Sequence, residues 1–146
     1  MRRAFPVLAA IVLGATAVAA QNLAPIKERK AHFDDIGDAV KPVGAMFKGE
    51  QAFELATVQS ALTLIREKTA VLPDLFPEDS KEGEDTRALP AIWNDKTDFN
   101  TRFKKLADAA EAAEPAMTDE ASFKTAWKDL VGNCSGCHKN YRKPKE

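Results

Sequence analysis

The segment FKTAWKDLVGNCSGCHKNY, residues 123–141, decides the fold. Apolar or cysteine side chains recur in it at intervals of three and four residues, at Phe123, Trp127, Leu130, Cys134, Cys137 and Tyr141. Because an α-helix turns once in about 3.6 residues, this spacing places them on one face of a single helix. Both cysteines of the chain lie on that face, so we expect the group that they bind to pack into the interior of a helical bundle.

Within this segment, Cys134-Ser135-Gly136-Cys137-His138 is a C-x-x-C-H sequence, the pattern that attaches a c-type haem. Cys134 and Cys137 lie three residues apart on one helical face and can reach the two vinyl groups of one porphyrin. His138 follows and can turn its imidazole toward the iron. We therefore predict one covalently bound haem c per chain, with Cys134 and Cys137 as thioether residues and His138 as the axial ligand.

Other interpretations of the cysteine pair remain open. A disulfide is ordinary in exported proteins, but one between Cys134 and Cys137 closes a very short loop and contributes little stability. A thioredoxin-like redox site needs strands around it, and the sequence has no strand pattern. A haem-free bundle could serve as an adaptor or bind another metal, although two cysteines and two histidines in this arrangement disfavour a four-ligand zinc site.

The N-terminus has the features of a secretory signal peptide. Arg2 and Arg3 give it a basic start, residues 4–18 are almost wholly apolar, and Val18-Ala19-Ala20 supplies a small-residue cleavage site. A membrane anchor is the alternative, although the apolar run is short for one and ends in cleavable residues. We predict that residues 1–20 are removed, that no membrane span remains after processing, and that the protein is exported to the periplasm of a Gram-negative bacterium.

The mature chain, residues 21–146, has the length of a single domain. Loss of Arg2 and Arg3 lowers its formal net charge from −1 to −3. This balance argues against nucleic acid as a partner, because no domain-wide basic surface exists. No nucleophile with a base, no acid pair and no phosphate-binding loop stands out, so we do not expect an enzyme.

Apolar spacing predicts two helices in the first half of the mature chain. The first covers residues 24–47 and ends at Gly49, where a C-terminal cap requires positive φ. Pro42 lies inside it and predicts a kink or a break close to Val40. The second helix covers about residues 52–72 and ends at a proline.

Two more helices follow a predicted loop over residues 73–90. The third is capped by Asn94 or Asp95 and ends at Pro115, and the fourth is capped by Thr118 and contains the quoted segment. Four helices without a strand pattern or a repeat predict an all-α fold, an antiparallel four-helix bundle with a haem site near its C-terminus.

The second axial position of such a haem decides what it can do. Besides His138, the side chains able to ligate iron are His32, Met46 and Met117. His32 points away from the apolar face of its helix, Met46 lies about 20 Å along that helix from Phe33, and Met117 lies in a turn. No convincing sixth ligand remains, so we predict a five-coordinate iron. Open coordination favours gas ligation, and NO over O₂, because NO binds ferrous haem strongly without a hydrogen-bond donor.

These residues resemble the cytochromes c′, the class II c-type cytochromes, over essentially the whole mature chain. The stretches that carry the resemblance are Ile26-Lys27-Glu28-Arg29 followed by Phe33, Phe47-Lys48-Gly49, Arg87 to Pro90 leading into Ile92-Trp93-Asn94-Asp95, and the C-x-x-C-H sequence followed by Tyr141-Arg142. C-x-x-C-H marks haem attachment in general. Its place at the end of a bundle that also carries Ile92 to Asp95 is more specific.

The resemblance implies roles for three further residues. Phe33 matches the distal residue that covers the vacant iron position, and Arg29 matches a residue that contacts a haem propionate. Arg142 matches the basic residue beside the proximal face. Relatives similar to cytochrome c-556 have a distal Met and a six-coordinate iron, so Phe33 favours the five-coordinate branch. Phe33 is also larger than the Leu common in cytochromes c′, which puts CO entry in question.

The resemblance also implies function and partners. Family members bind NO and are commonly homodimers through their first two helices, with proposed roles in NO carriage, protection against NO or electron transfer. We predict a periplasmic haem protein that binds NO, with CO as a second gas ligand. The alternative is a one-electron carrier with a redox partner protein. Arg142 and the lysines around it either complement the negative end of the last helix or dock an acidic partner.

Overall fold

Four long helices and one short one make up the computed structural model, which describes residues 22–144. The long helices are α1 (Leu23–Lys48), α2 (Leu55–Val71), α4 (Lys96–Ala116) and α5 (Glu120–Tyr141), and α3 (Ala91–Asn94) is a single turn before α4. Helix α2 packs against α1 and α4, and α4 also packs against α5. The predicted antiparallel four-helix bundle is confirmed, with α5 as the fourth predicted helix.

The N-terminal segment, residues 1–20, lies outside the described residues, so the predicted signal peptide stays a prediction. Among the helices of residues 22–144, none is long and apolar enough to cross a membrane.

Capping residues set three of the ends of the long helices. Gly49 ends α1 with φ 77°, and the N–H groups of Gly49 and Glu50 donate to carbonyls in the last turn of that helix, as predicted. Asp95 caps α4 and accepts a hydrogen bond from Asp98 N at 2.9 Å. The prediction of Thr118 as the cap of α5 was wrong. Asp119 is the cap, because it forms a reciprocal capping box with Ser122.

The two helix-interior prolines interrupt less than predicted. Helix α1 runs through Pro42 without a break, because Val43 and Met46 beyond it are buried in the core and hold the following turn. Pro115 lies inside the last turn of α4, which ends one residue later. The second helix begins at Leu55 rather than at about residue 52.

The predicted loop between α2 and α4 is largely ordered into turns. A 3₁₀ turn, Leu72–Leu75, follows α2. The chain therefore stays helical across Pro73 before the irregular segment begins. Gly83, Glu84 and Asp85 then have positive φ of 104°, 50° and 51°. Lys30 of α1 donates to the Glu84 carbonyl at 2.5 Å, and Lys27 lies 3.4 Å from the Glu84 carboxylate. This strained turn is therefore held against α1.

The interior consists of two apolar clusters. The larger joins α1, α2, α4 and the first half of α5, and contains Val58, Leu62, Phe123, Trp127 and Leu130 among others. The smaller joins the 3₁₀ turn, α3, α4 and the end of α5, and contains Leu72, Phe76, Ile92, Phe99, Phe103 and Tyr141. A cavity of about 480 Å³ borders both clusters.

Gly83 and Gly132 offer a matched test of the strained turn. Gly83→Ala places a Cβ at φ 104° and 2.7 Å from the Leu23 side chain, so we expect it to lower the free energy of unfolding by about 1–2 kcal/mol. Gly132 lies within α5 with open space around it, so Gly132→Ala should raise that free energy by up to ~1 kcal/mol. Urea unfolding of the haem-loaded protein measures both. Equal effects of the two substitutions would contradict a strained Gly83.

Candidate haem-binding site

The cavity of about 480 Å³ lies between α1, α4 and α5, and the chain segment 85–88 closes one side. Cys134, Cys137 and His138 all line it from α5, so the structure brings the C-x-x-C-H residues onto one wall. Most of the other walls are apolar, with Phe33, Ile36, Val40, Ile65, Phe76, Ile92, Phe99, Phe103, Leu106, Trp127 and Leu130. A cavity of this kind suits a large apolar group that is fixed by a few polar contacts.

The two cysteines are free thiols rather than a disulfide, and both are half-buried. Burial raises the pKa of the Cys134 thiol, and the charge of Arg142 partly opposes this. Burial likewise raises the pKa of Cys137, where Arg102 supplies the main opposing charge. Both sulfurs therefore face the cavity as protonated thiols, which are the groups that add to a vinyl double bond to give a thioether.

His138 has the protonation state that metal ligation requires. Burial, together with the positive charges of Arg142 and Arg87, lowers the pKa of its imidazole to about 4. The ring is therefore neutral at neutral pH and has a nitrogen lone pair available for iron.

Phe33 lies on the α1 wall of the same cavity. Its ring packs at 6.4 Å, centroid to centroid, from that of Phe103 on α4, and 38% of its surface is exposed. Phe33 is therefore placed to cover an apolar ring bound in the cavity.

The other side chains considered as iron ligands are engaged elsewhere. Met46 and Met117 are buried in the larger cluster, and neither lines the cavity. His32 lies outside the cavity lining, with its Nδ1 at 3.0 Å from the Nζ of Lys68. Lys30 does line the cavity, but its amine donates to the Glu84 carbonyl at 2.5 Å.

Arg29 lines the cavity as a buried cation, only 2% exposed. Its guanidinium donates to the carbonyls of Leu75 and Ser80 and to the hydroxyls of Ser80 and Thr86, at 2.9–3.0 Å, and lies 4.4 Å from the centre of the Phe76 ring. Burial lowers its pKa to about 10, so it stays charged at neutral pH. No carboxylate among residues 22–144 pairs with it, so the cavity wall carries an uncompensated positive charge.

The end of α5 is tied to the segment before α3. Leu89 N donates to the Tyr141 carbonyl at 3.1 Å, and Lys143 N donates to the Arg87 carbonyl at 2.8 Å. The Arg87 guanidinium donates two hydrogen bonds to the Lys143 carbonyl. Arg142 lies between these contacts and is exposed, and its side chain forms no ion pair within the described part of the chain.

One part of the site was missed from the sequence. The Asp98 carboxylate on α4 accepts a hydrogen bond from the Tyr141 hydroxyl at 2.5 Å and another from Arg102 Nε at 3.1 Å. Both Arg102 and Tyr141 line the cavity. The i, i+4 spacing of Asp98 and Arg102 was a detectable signal, but it gives no indication that a third residue 43 positions later joins the pair.

Together these residues fit a haem c. Two thiols and a neutral imidazole lie on one wall, apolar side chains form most of the others, and the lining arginines supply positive charge for the two carboxylates of the porphyrin. Within residues 22–144, no cluster of His, Cys, Asp or Glu has the arrangement of a separate metal site.

Comparison with known proteins points to one family. The family model described as Cytochrome C′ matches residues 24–142. Cytochrome c′ of Rhodopseudomonas palustris is 47% identical over 135 residues, which is 92% of each chain. Cytochrome c-556 of Agrobacterium fabrum is 36% identical over 118 residues, 80% of each chain.

Solved structures agree with this. The structure of cytochrome c′ from Rhodopseudomonas palustris matches with a TM-score of 0.81 at 48% identity, and covers 84% of this chain and 98% of that one. A model of oxidised cytochrome c556 from the same organism matches with a TM-score of 0.78 at 26% identity, and covers 86% of this chain and all of that one.

Covalent attachment can be tested directly on protein produced with haem-maturation machinery. The wild-type chain should keep its haem after acid denaturation and washing, as measured by the pyridine haemochrome, because thioethers survive unfolding. Replacement of both Cys134 and Cys137 by alanine should release it, whereas Ser135→Ala, on the exposed side of the same turn, should not. A wild-type protein that carries no haem after this treatment would contradict the assignment.

Proposed function

The chain belongs to the cytochrome c′ family, whose members bind haem c covalently, and from this premise we propose that it is a periplasmic protein that binds NO at a five-coordinate haem iron. Export is supported by the signal-peptide pattern of residues 1–20 and by the bacterial origin of the relatives. NO binding is supported by the cavity lining, in which His138 is the one His or Met side chain among residues 22–144.

The proposal of a five-coordinate iron depends on one observation, the set of side chains that line the cavity. Of the two histidines and three methionines of the chain, His138 is the one that lines the cavity in residues 22–144. Met46 and Met117 would have to leave a packed core to reach it, and exposing a buried methionine costs about 2 kcal/mol or more in transfer free energy alone. Relatives named cytochrome c-556 also match this chain, so the coordination state is the property that separates the two kinds of function.

A bound haem would supply an iron that His138 can ligate. Phe33, on the α1 wall of the cavity, would cover this iron without offering a hydrogen-bond donor, and its neighbour Phe103 is equally apolar. A donor stabilises bound O₂ but is not needed for NO, so an apolar cover selects NO. Protection against NO or carriage of NO would follow from such selectivity.

The arginines hold the haem carboxylates and shape the proximal side. Arg29 brings a buried charge without an anionic partner, so a propionate would compensate it. Its four hydrogen bonds to neutral acceptors also fix the wall between Leu75 and Thr86. The charge of Arg142 adds to the effect of burial in lowering the pKa of His138, and its exposed side chain can contact the haem edge or an acidic partner.

A one-electron carrier is the alternative function. It needs an exposed haem edge and a docking surface rather than an open iron position, and the exposed cations Lys139, Arg142 and Lys143 at the end of α5 would suit an acidic redox partner protein.

Ligand binding separates the two functions. Titration of the ferrous protein with NO should reach one NO per haem, and a protein that NO leaves unchanged would support the carrier.

Phe33 provides the sharpest test of the cover. Phe33→Ala should raise the association rate of CO with the ferrous protein by about tenfold or more, which corresponds to about 1.4 kcal/mol taken off the barrier, because the side chain no longer blocks the open position. Stopped-flow or flash photolysis measures this rate. Phe53→Ala is the control, since Phe53 packs against Phe123 in the larger cluster and does not line the cavity. Equal CO rates in wild type and Phe33→Ala would mean that Phe33 does not cover the iron.

A homodimer through α1 and α2 is part of the proposal. A shallow groove between these helices is lined mainly by small or apolar side chains, namely Ala39, Pro42, Ala56, Thr57, Ser60, Ala61 and Leu64. Small residues let helices of a second copy approach closely, and a symmetric contact of this kind is the commonest in soluble oligomers.

Ala56 tests this interface because it is exposed in the groove. Ala56→Glu should raise the dimer dissociation constant at least about tenfold, or about 1.4 kcal/mol, because it places a charge in the apolar groove where the second copy would pack. Sedimentation equilibrium measures the constant. Ala112→Glu introduces the same charge at an exposed position of α4 and should leave it unchanged. A protein that is monomeric without any substitution would contradict the dimer.

A further inference from the structure

Asp98 joins α4 to the end of α5 through one hydrogen bond and holds a neighbour on its own helix through another. Its carboxylate accepts from the Tyr141 hydroxyl at 2.5 Å and from Arg102 Nε at 3.1 Å. These two bonds and their charges lower the pKa of Asp98, so it is ionised at neutral pH. Tyr141 is 7% exposed and packs edge-on against Phe99, which fixes its hydroxyl in place.

The network lies at the cavity wall next to the second cysteine. Arg102 and Tyr141 line the cavity, and Asp98 lies behind them. Arg102 and Cys137 line the same cavity, and Cys137 packs against the cluster that contains Tyr141. The Arg102 guanidinium therefore borders the space that a haem attached at Cys137 would fill.

We propose that Asp98 is a positioning residue that holds the Arg102 guanidinium on the cavity wall beside Cys137, offsets its charge, and thereby sets the reduction potential of the haem. The inference rests on haem attachment at Cys134 and Cys137, which the haemochrome measurement establishes separately. It does not depend on whether the iron binds NO.

The direction of the effect follows from electrostatics. Reduction of the haem adds an electron, so a nearby positive charge favours the reduced state and a nearby negative charge disfavours it. Arg102 and Asp98 nearly cancel as a pair, and removal of one leaves the other uncompensated beside a poorly solvated cofactor. The two single substitutions must therefore move the potential in opposite directions, whereas a purely structural disturbance has no reason to do so.

Spectroelectrochemical titration of the haem-loaded protein tests this. Asp98→Asn, which keeps the shape of the side chain, should raise the midpoint potential, because Arg102 loses its counter-charge. Arg102→Gln should lower it, because the Asp98 carboxylate is left alone. Tyr141→Phe removes a hydrogen bond and no charge, so its shift should be smaller than either of the others.

Helix α4 contains a matched control pair. Lys104 and Asp108 have the same i, i+4 spacing and form an ion pair at 2.6 Å, but both are exposed and neither lines the cavity. Asp108→Asn and Lys104→Gln change the net charge by the same amounts as the test variants and should shift the potential much less.

A second measurement checks the network in solution. Tyr141 is the one tyrosine of the chain, so the ultraviolet resonance Raman titration of phenol to phenolate reports it alone. Burial, followed by the hydrogen bond to Asp98, raises the pKa of Tyr141 to about 12. Asp98→Asn should lower this pKa, and burial should keep it above the ordinary value.

Several results would overturn the inference. Shifts of the same sign in Asp98→Asn and Arg102→Gln would do so, as would shifts no larger than those of the Lys104 and Asp108 controls. A Tyr141 pKa that Asp98→Asn leaves unchanged would also overturn it. Arg102 is partly exposed, so Arg102→Gln should fold even if Asp98→Asn is unstable, and a failure of its potential to fall would overturn the inference by itself.

Discussion

The structure depends on a change of side-chain size along one helical face of α5. The spacing of three and four residues continues from Phe123 to Tyr141, so the whole face points inward. Phe123, Trp127 and Leu130 are large and fill the core, whereas Cys134 and Cys137 are small and leave a cavity between two apolar clusters. The same backbone periodicity thus builds the bundle and keeps space for the group that the cysteines attach.

The charges around that cavity, like its shape, suit a bound haem. A buried arginine without an anionic partner costs several kcal/mol in desolvation, and Arg29 meets this cost with hydrogen bonds to neutral acceptors and with contact to Phe76. Buried charges of this kind are common at functional sites, where a ligand of opposite charge can pair with them. The carboxylates of a haem would do so, which couples haem loading to the stability of the wall formed by the segment between α2 and α3.

The sequence alone predicted the bundle, the caps at Gly49 and at Asp95 (with Asn94 as the alternative), and the grouping of Cys134, Cys137 and His138, which lie on one cavity wall. These depend on local spacing, which a helix converts directly into a face. Helix continuity through Pro42 could not be predicted, because it depends on core burial of residues beyond the proline. The link between Asp98 and Tyr141 was also missed, because it depends on how two helices pack and not on spacing within one.

The central claim is that the iron has His138 on one side and no protein ligand on the other. The resonance Raman and optical spectra of the ferrous protein at neutral pH, without added ligand, test it most directly. The account predicts five-coordinate, high-spin iron. Sharp low-spin bands that persist when NO is added would contradict it, since they would mean that a side chain from outside the observed cavity wall reaches the iron.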